Sequence, residues 1–384
     1  MKSTMEIYQV GGAVRDRLLG LAVHDHDWVV VGASVAEMLS QGYLPVGKDF
    51  PVFLHPNTHE EYALARTERK SGQGYGGFTF HTACDVTLPQ DLLRRDLSIN
   101  AIAEDAQGNL TDPYGGQRDL QDRLLRHVSP AFAEDPLRVL RVARFLARFY
   151  PLGFSIDPTT LALMSQLSQS GELQALSAER VWKETERALT ETNPEQYFIT
   201  LDQCGALEQL MPELAATRPA SRHLDSGLAA LIAATAISAQ ANVRWSVLCH
   251  SIKSEDALQA LQQRLKTPRH YQDTALLLWR HQPLLAEPLS AASVMALFQG
   301  LDLQRRPERL APFIEGCQAL SGLSAEPFLA TTAQLQQLLD ALRQIQPRTL
   351  VNEGFKGAKL GQELQRRQLE VLEQRLLPPA TEHS

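Results

Sequence analysis

The chain has 384 residues, 44% of them hydrophobic and 21% charged, which excludes a disordered protein and suffices for two or three compact units with their own cores. A net charge of -7 excludes a protein that coats nucleic acid through bulk positive charge. Any RNA contact therefore has to be a local basic patch.

From the N-terminus, which shows no apolar signal segment, Ile7-Tyr8-Gln9-Val10 reads as a short strand that delivers the pair Gly11-Gly12. Two glycines after a strand let backbone N–H groups approach a triphosphate without a Cβ in the way. Arg15 leads into a short helix through Leu18-Leu19-Gly20. Asp25 and Asp27 then open the apolar run Trp28-Val29-Val30-Val31. Residues i and i+2 of a strand project from one face, so both carboxylates can reach one hard cation while His26 points away. Magnesium takes one or two carboxylates, keeps several waters and fills its remaining positions with phosphate oxygens. The pair is therefore expected to hold Mg2+ beside a nucleotide.

A third strand is expected over Glu61 to Ala65, with Glu61 a candidate third acid near the metal by its strand position. After the charged run Arg66-Thr67-Glu68-Arg69-Lys70, the glycines Gly72, Gly74, Gly76 and Gly77 make Ser71 to Phe78 a mobile loop beside the site. In Arg94-Arg95-Asp96-Leu97-Ser98-Ile99-Asn100-Ala101 the arginine forks suit phosphate oxygens. There Asp96 or Asn100 either holds a ribose hydroxyl or orients the arginines.

The next basic cluster is Glu134-Asp135-Pro136-Leu137-Arg138, continuing through Arg141, Arg144 and Arg148. Pro136 fits a first helical position and Asp135 its N-cap, which is a purely structural account of Asp135. The arginines, spaced by three, three and four, line one helix face without interleaved acids. Their mutual repulsion argues for an anionic ligand or partner.

Beyond about residue 127 the pattern is helical, with three-to-four spacing over Val139 to Phe149, Leu161 to Leu167, Arg180 to Leu189 and Thr331 to Ile345. Leu228 to Ile237, the longest apolar candidate, is too short to cross a membrane and reads as a buried helix. The four cysteines, Cys84, Cys204, Cys249 and Cys317, form no CxxC pair, which supports neither a disulfide framework nor a zinc ribbon and suits a reducing cytoplasm. The expected fold class is α+β: a head with a small mixed sheet, followed by an all-α remainder. The expected divisions are a catalytic head over 1–127, a helical neck carrying the nucleotide-selecting helix over 128–195, and a helical body and tail over 196–384.

These stretches together resemble the class II nucleotidyltransferases, with their polymerase-beta-like head, and within them the bacterial CCA-adding enzymes that build or repair the 3' end of tRNA. The matching runs are Gly11 to Gly20, Asp25 to Val31, Ala65 to Phe78, Arg94 to Ala101, Asp112-Pro113-Tyr114-Gly115-Gly116, Glu134 to Phe145, and Glu179 to Glu184. They cover the first half of the chain in the family's order. The resemblance implies that Asp25 and Asp27 hold magnesium and carry catalysis. It implies that Gly12 and Arg15, with Arg95, Arg141 and Arg144, bind the incoming nucleotide, chiefly its phosphates, and that Asp135 and Arg138 read its base. Arg180 and Glu184 brace the arginine helix. Base reading also has a first-principles rationale. Cytosine and adenine both present an amino donor beside a ring-nitrogen acceptor; an ionised aspartate only accepts and an arginine only donates, so the pair complements C and A and mispairs with U and G.

The implied reaction is attack of the tRNA 3' hydroxyl on the α-phosphate of CTP or ATP with release of pyrophosphate, without a nucleic-acid template. Partners are then the tRNA acceptor end, CTP and ATP, with no membrane and no DNA. Alternatives within the family are a CC-adding or A-adding enzyme and a poly(A) polymerase. Many relatives carry a histidine-aspartate metal motif in the second half. Here Val243 to Ser251 places Ser251 where the aspartate stands, so an HD-type phosphohydrolase domain is expected to be degenerate or absent. The complete carboxylate pair disfavours a catalytically inactive RNA-binding protein. Gly354-Phe355-Lys356-Gly357-Ala358-Lys359-Leu360 is either a helix-capping turn or a donor of lysines and backbone N–H groups to tRNA.

Overall fold

A computed structural model of the chain describes residues 5–46, 52–70, 78–81, 84–218, 226–285, 288–322 and 325–376. Strand β1 (Glu6–Val10) runs into helix α1 (Gly12–Leu18) through Gly11. Strand β2 (Asp27–Val31), helix α2 (Val35–Ser40), and strands β3 (Leu44–Val46), β4 (Val52–Leu54) and β5 (Glu61–Leu64) follow. Strands β6 (Thr67–Lys70) and β7 (Phe78–His81) form a separate antiparallel pair. Helix α3 (Leu88–Leu93), strands β8 (Ala103–Glu104) and β9 (Leu110–Thr111), and helix α4 (Gly116–Gln121) complete the head.

The main sheet has seven strands in the order β3-β4-β5-β2-β1-β8-β9. Strand β2 lies at its centre, antiparallel to β1 and parallel to β5, which makes the sheet mixed. Both of its faces are covered, and this is why Trp28 to Val31 reads as a continuous apolar run rather than an alternation. Trp28 and Val30 pack with Ile7, Tyr62, Leu64 and the Met38 of α2. Val29 and Val31 pack on the other face with Tyr8, Val10 and the Leu88 and Leu92 of α3.

Short strands β10 (Leu124–Leu125) and β11 (Ser155–Ile156) pair in parallel and bracket helix α5 (Leu137–Phe149). Helices α6 (Pro158–Gln169), α7 (Ala178–Thr190), α8 (Glu195–Gln203) and α9 (Ala206–Leu210) follow. Helix α5 packs on both α7 and α8, and the Tyr197 hydroxyl of α8 meets Thr185 Oγ1 of α7 at 3.0 Å. The chain divides into two compact units, Met1–Met211 and Pro212–Ser384.

The second unit is helical: α10 (Pro212–Ala215), α11 (Ser226–Ile237), α12 (Ala241–Cys249), α13 (Glu255–Leu265), α14 (Arg269–His281), α15 (Ala291–Gly300), α16 (Leu310–Ser321), α17 (Ala325–Arg343), α18 (Pro347–Asn352) and α19 (Ala358–Leu376). Its core joins α15, α16 and α17 through Val294, Phe298, Phe313, Leu335 and Leu339. The fold is thus α+β in the head and helical thereafter, apart from the two-residue strand β11. No described helix is long and apolar enough to cross a membrane.

Two differences from the sequence expectations have physical causes. The charged run Thr67–Lys70 is a strand, because pairing with Phe78–His81 satisfies its backbone whatever its side chains are. Strands β3, β4, β8 and β9 are two or three residues long, too short for a period-two pattern to register. The glycines Gly72, Gly74, Gly76 and Gly77 lie outside the described residues.

Candidate active site

The site is built around the turn that joins β1 to α1. Gly11 has φ +71°, a conformation that L side chains rarely adopt. A Cβ there would lie 2.9 Å from Arg95 Nη1 and 3.9 Å from Asp27 Oδ2. Glycine is therefore required twice, by backbone angle and by space. The same two distances show that the glycine turn, the second basic cluster and the strand carboxylate converge on one spot. Gly12 stands beside it as the first residue of α1.

Strand β2 begins at Asp27, so Asp25 sits just outside it and the same-face argument holds by register for Asp27 alone. His26 lies on the opposite side: its Nδ1 meets Gln9 Nε2 at 2.5 Å, and Gln9 pairs in register with Trp28. Both aspartates are exposed. Loss of hydration at the crowded strand mouth pushes the Asp27 carboxyl above its ordinary range; Arg95 works against this and the Asp25 charge adds to it. Among the described residues neither carboxylate has a hydrogen-bond or ion-pair partner. Two exposed, unpartnered oxygen donors beside a glycine turn are a set that suits a hard cation. Glu61 pairs in register with Asp27. It does not complete a cluster, since no described group of three His, Cys, Asp or Glu side chains is placed to hold a metal.

Arg95 reaches the glycine turn with its guanidinium. Its Nη1 donates to the Asn100 carbonyl at 3.3 Å, its Nη2 stands 3.5 Å from Asp91 Oδ2, and its buried Nε has no hydrogen-bond partner. Asp96 is engaged by protein groups, one of them an arginine. It accepts from Asn100 Nδ2 at 2.9 Å and from Arg141 Nε at 2.7 Å. Burial works against its charge, but Arg141 and Asn100 outweigh this and hold its carboxyl far below the usual carboxylate range.

Arg15 is occupied by protein groups. It donates to Asn100 Oδ1 and to Asp16 Oδ1, and its guanidinium lies over the rings of Phe145 and Phe149 at 5.2 and 4.9 Å. The face of α5 is likewise balanced from within. Arg144 pairs with Glu184 at 2.6 Å and Glu191 at 3.6 Å, Arg148 pairs with Asp16 at 2.8 Å, and Arg138 donates to the carbonyls of Ala131 and Arg94. The repulsion expected from an arginine row is absent because other segments bring the counter-charges. The row by itself therefore does not call for an external anion. Arg141 keeps a third of its side chain exposed, whereas Arg144 is buried.

Helix α5 is bounded at Leu137 with Pro136 at its N-cap position, but Pro136 already has helical angles (φ -62°, ψ -17°) and Asp135 extended ones (φ -120°, ψ 103°), so Asp135 acts as the cap, accepting from Leu137 N at 3.1 Å, and it also pairs with Arg180 Nη2 at 3.0 Å. Arg180 and Glu184 of α7 thus clamp both halves of α5. Asp91 and Asp16 escaped the sequence reading. Asp91 could have been found, because it precedes Arg94 and Arg95 by three and four residues on one helical face. Asp16 could not, since its contact with the adjacent Arg15 follows no helical spacing and its other partner, Arg148, is remote in sequence.

In the second unit, Ser251 Oγ donates to Leu248 O at 3.0 Å in the last turn of α12. Gly354 and Gly357 take positive φ in the turn joining α18 to α19.

The mixed sheet with a carboxylate-bearing central strand beside a glycine turn defines the head as one of nucleotidyltransferase fold. Residues 7–126 match the family model for a "Poly A polymerase head domain", and residues 153–217 that for a "Probable RNA and SrmB- binding site of polymerase A". The chain is 53% identical over 373 residues to a CCA-adding enzyme of Pseudomonas putida strain W619, covering 96% of this chain and 98% of that one. It is also 53% identical to a Multifunctional CCA protein of Pseudomonas putida strain KT2440, covering 96% and 99%. In fold it resembles the Bacillus stearothermophilus CCA-adding enzyme in complex with CTP, with a TM-score of 0.74 at 23% identity over 96% of this chain and 89% of that one. The Thermotoga maritima CCA-adding enzyme complexed with tRNA gives 0.66 at 24% identity, over 96% and 88%. The chain belongs to the family of CCA-adding enzymes.

Proposed function

We propose that this protein adds CCA to the 3' end of tRNA in the cytoplasm, from CTP and ATP and without a template, with magnesium as its metal. The observation that carries this reading is the convergence of Asp27, Gly11 and Arg95 within 3.9 Å of one point. That spot pairs oxygen donors for a cation with N–H donors for a triphosphate.

In this account Asp25 and Asp27 hold Mg2+, which when bound lowers the barrier to forming the attacking 3' alkoxide and neutralises charge on the leaving pyrophosphate. The 3' oxygen bonds to the α-phosphorus as the bond from that phosphorus to the bridging oxygen breaks. The Gly11-Gly12 turn and Arg95 receive the phosphates, and Arg141 adds its exposed edge. Buried Arg15 and Arg144 act on the nucleotide through the wall they build, Arg15 by stacking on α5 and Arg144 by its Glu184 pair. Asp135 and Arg138 select the base, accepting from an amino group and donating to a ring nitrogen. We assign residues 1–127 to catalysis, 128–195 to nucleotide selection and 196–384 to tRNA binding.

Asp25→Asn and Asp27→Asn test the reading. Each keeps the fold and loses roughly 3 to 5 kcal/mol of transition-state stabilisation, about two to four decades in rate. Near-normal turnover by either folded variant removes the metal assignment.

A further inference from the structure

Asp91 is fully buried in α3 and takes no part in the roles assigned above. Its Oδ1 accepts from three donors: the backbone N of Arg66 at 3.2 Å, and Nε and Nη2 of Arg94 at 3.1 and 2.7 Å. Its Oδ2 makes no hydrogen bond and faces Arg95 Nη2 at 3.5 Å. These contacts lead in three directions. Arg66 is the junction between the central sheet and the β6–β7 pair: Ala65 N still donates to Val30 O, and β6 starts at Thr67. Arg95 reaches the Gly11 turn. The carbonyl of Arg94 is held by Arg138 Nη2 at 2.6 Å.

Oδ1 thus serves the Arg66 backbone and Arg94, the latter as an ion pair at 2.7 Å. Oδ2 is left to Arg95, a partly buried guanidinium with an unpartnered Nε and no other carboxylate within ion-pair distance among the described residues. We propose that Asp91 is a positioning residue for nucleotide binding: it holds Arg95 against the Gly11 turn so that the guanidinium meets the triphosphate, while pinning the start of the β6–β7 pair to the same anchor. This rests on the proposed nucleotide transfer, and it concerns the phosphates and not the base.

The distinguishing consequence is equality across ligands. In Asp91→Asn, affinity for CTP, for ATP and for inorganic tripolyphosphate as a competitive inhibitor should fall by the same factor, about tenfold, the worth of one charge-assisted contact. The KM values should rise with kcat changed less than about threefold, and the preference for CTP over UTP should stay as in wild type. The double variant with Arg95→Gln should bind no more weakly than Arg95→Gln alone, because the two residues act as one. A general loosening of the site would instead alter base preference and lower kcat. If Asp91→Asn does not fold, Asp91→Glu supplies the readout, since one extra methylene displaces Arg95 and should cost a few-fold in all three affinities equally. Unchanged affinities in the folded variant, a loss confined to the nucleotides and absent for tripolyphosphate, or additive effects with Arg95→Gln would overturn the assignment. Wild-type protein that transfers no nucleotide to tRNA would indict the proposed function instead, and the tripolyphosphate comparison would still judge Asp91.

Discussion

Arg141 and Asp96 are locked together, Nε and Nη2 of the arginine each 2.7 Å from one carboxylate oxygen, and the pair ties the head to helix α5. Its charge has a consequence for acid stability. The Asp96 carboxyl is depressed in the folded protein, so in acid the unfolded chain takes up the proton first. The stabilisation is fully present above the unfolded carboxylate value near pH 4 and is lost as pH falls towards the folded value. Between about pH 4 and pH 2, wild-type stability should therefore fall more steeply than that of Asp96→Asn. Urea unfolding at a series of pH values measures this, and parallel curves would show that the pair contributes no linkage.

The neighbouring clamp makes a stronger demand. Arg144 and Glu184 are both almost entirely buried, so Glu184→Gln leaves a guanidinium whose remaining carboxylate is Glu191 at 3.6 Å. Removing one member of a buried pair costs about 3 to 5 kcal/mol, which should lower Tm by roughly 10 °C. Thermal unfolding followed by circular dichroism decides it; a shift under 2 °C would mean that the pair is screened despite its burial.

Much of this was legible in the sequence because it is local. The Gly11-Gly12 turn, the apolar run after Asp27 and the spacing of the α5 arginines each fall within a dozen residues, and the elements they announce are present. The arginines' partners were not legible. Glu184 lies forty residues from Arg144, and Asp16 more than a hundred from Arg148, so no helical or strand period connects them. The inference from repulsion failed for that reason: it counted acids along one helix, while the counter-charges arrive from three other segments. The short strands β3, β4, β8 and β9 were missed on similar grounds, since pairing across the sheet defines them more than their own residues do.

Selectivity supplies the next prediction. Asparagine caps a helix about as well as aspartate, so Asp135→Asn should leave α5 in place with its bond to Leu137 N. It replaces an obligate acceptor by a group that also donates, and so should weaken rejection of UTP and GTP while slowing CTP and ATP. A charge-assisted hydrogen bond is worth about 1.5 to 3 kcal/mol, so discrimination should drop by roughly one to two decades. The ratio of kcat/KM for CTP over UTP, wild type against variant, is the readout. An unchanged ratio with an unchanged rate would reduce Asp135 to a helix cap paired with Arg180.

The central claim is that one site, without a template, chooses C, C and A in turn. The direct measurement is incubation of the purified protein and magnesium with tRNA lacking its last three nucleotides, each labelled nucleoside triphosphate being supplied alone and then CTP with ATP. The account predicts two cytidines from CTP alone, completion by a single adenosine when ATP is added, and no incorporation of UTP or GTP. Repeated adenosine addition to unrelated RNA, or a product that stops after CC with ATP present, would contradict it.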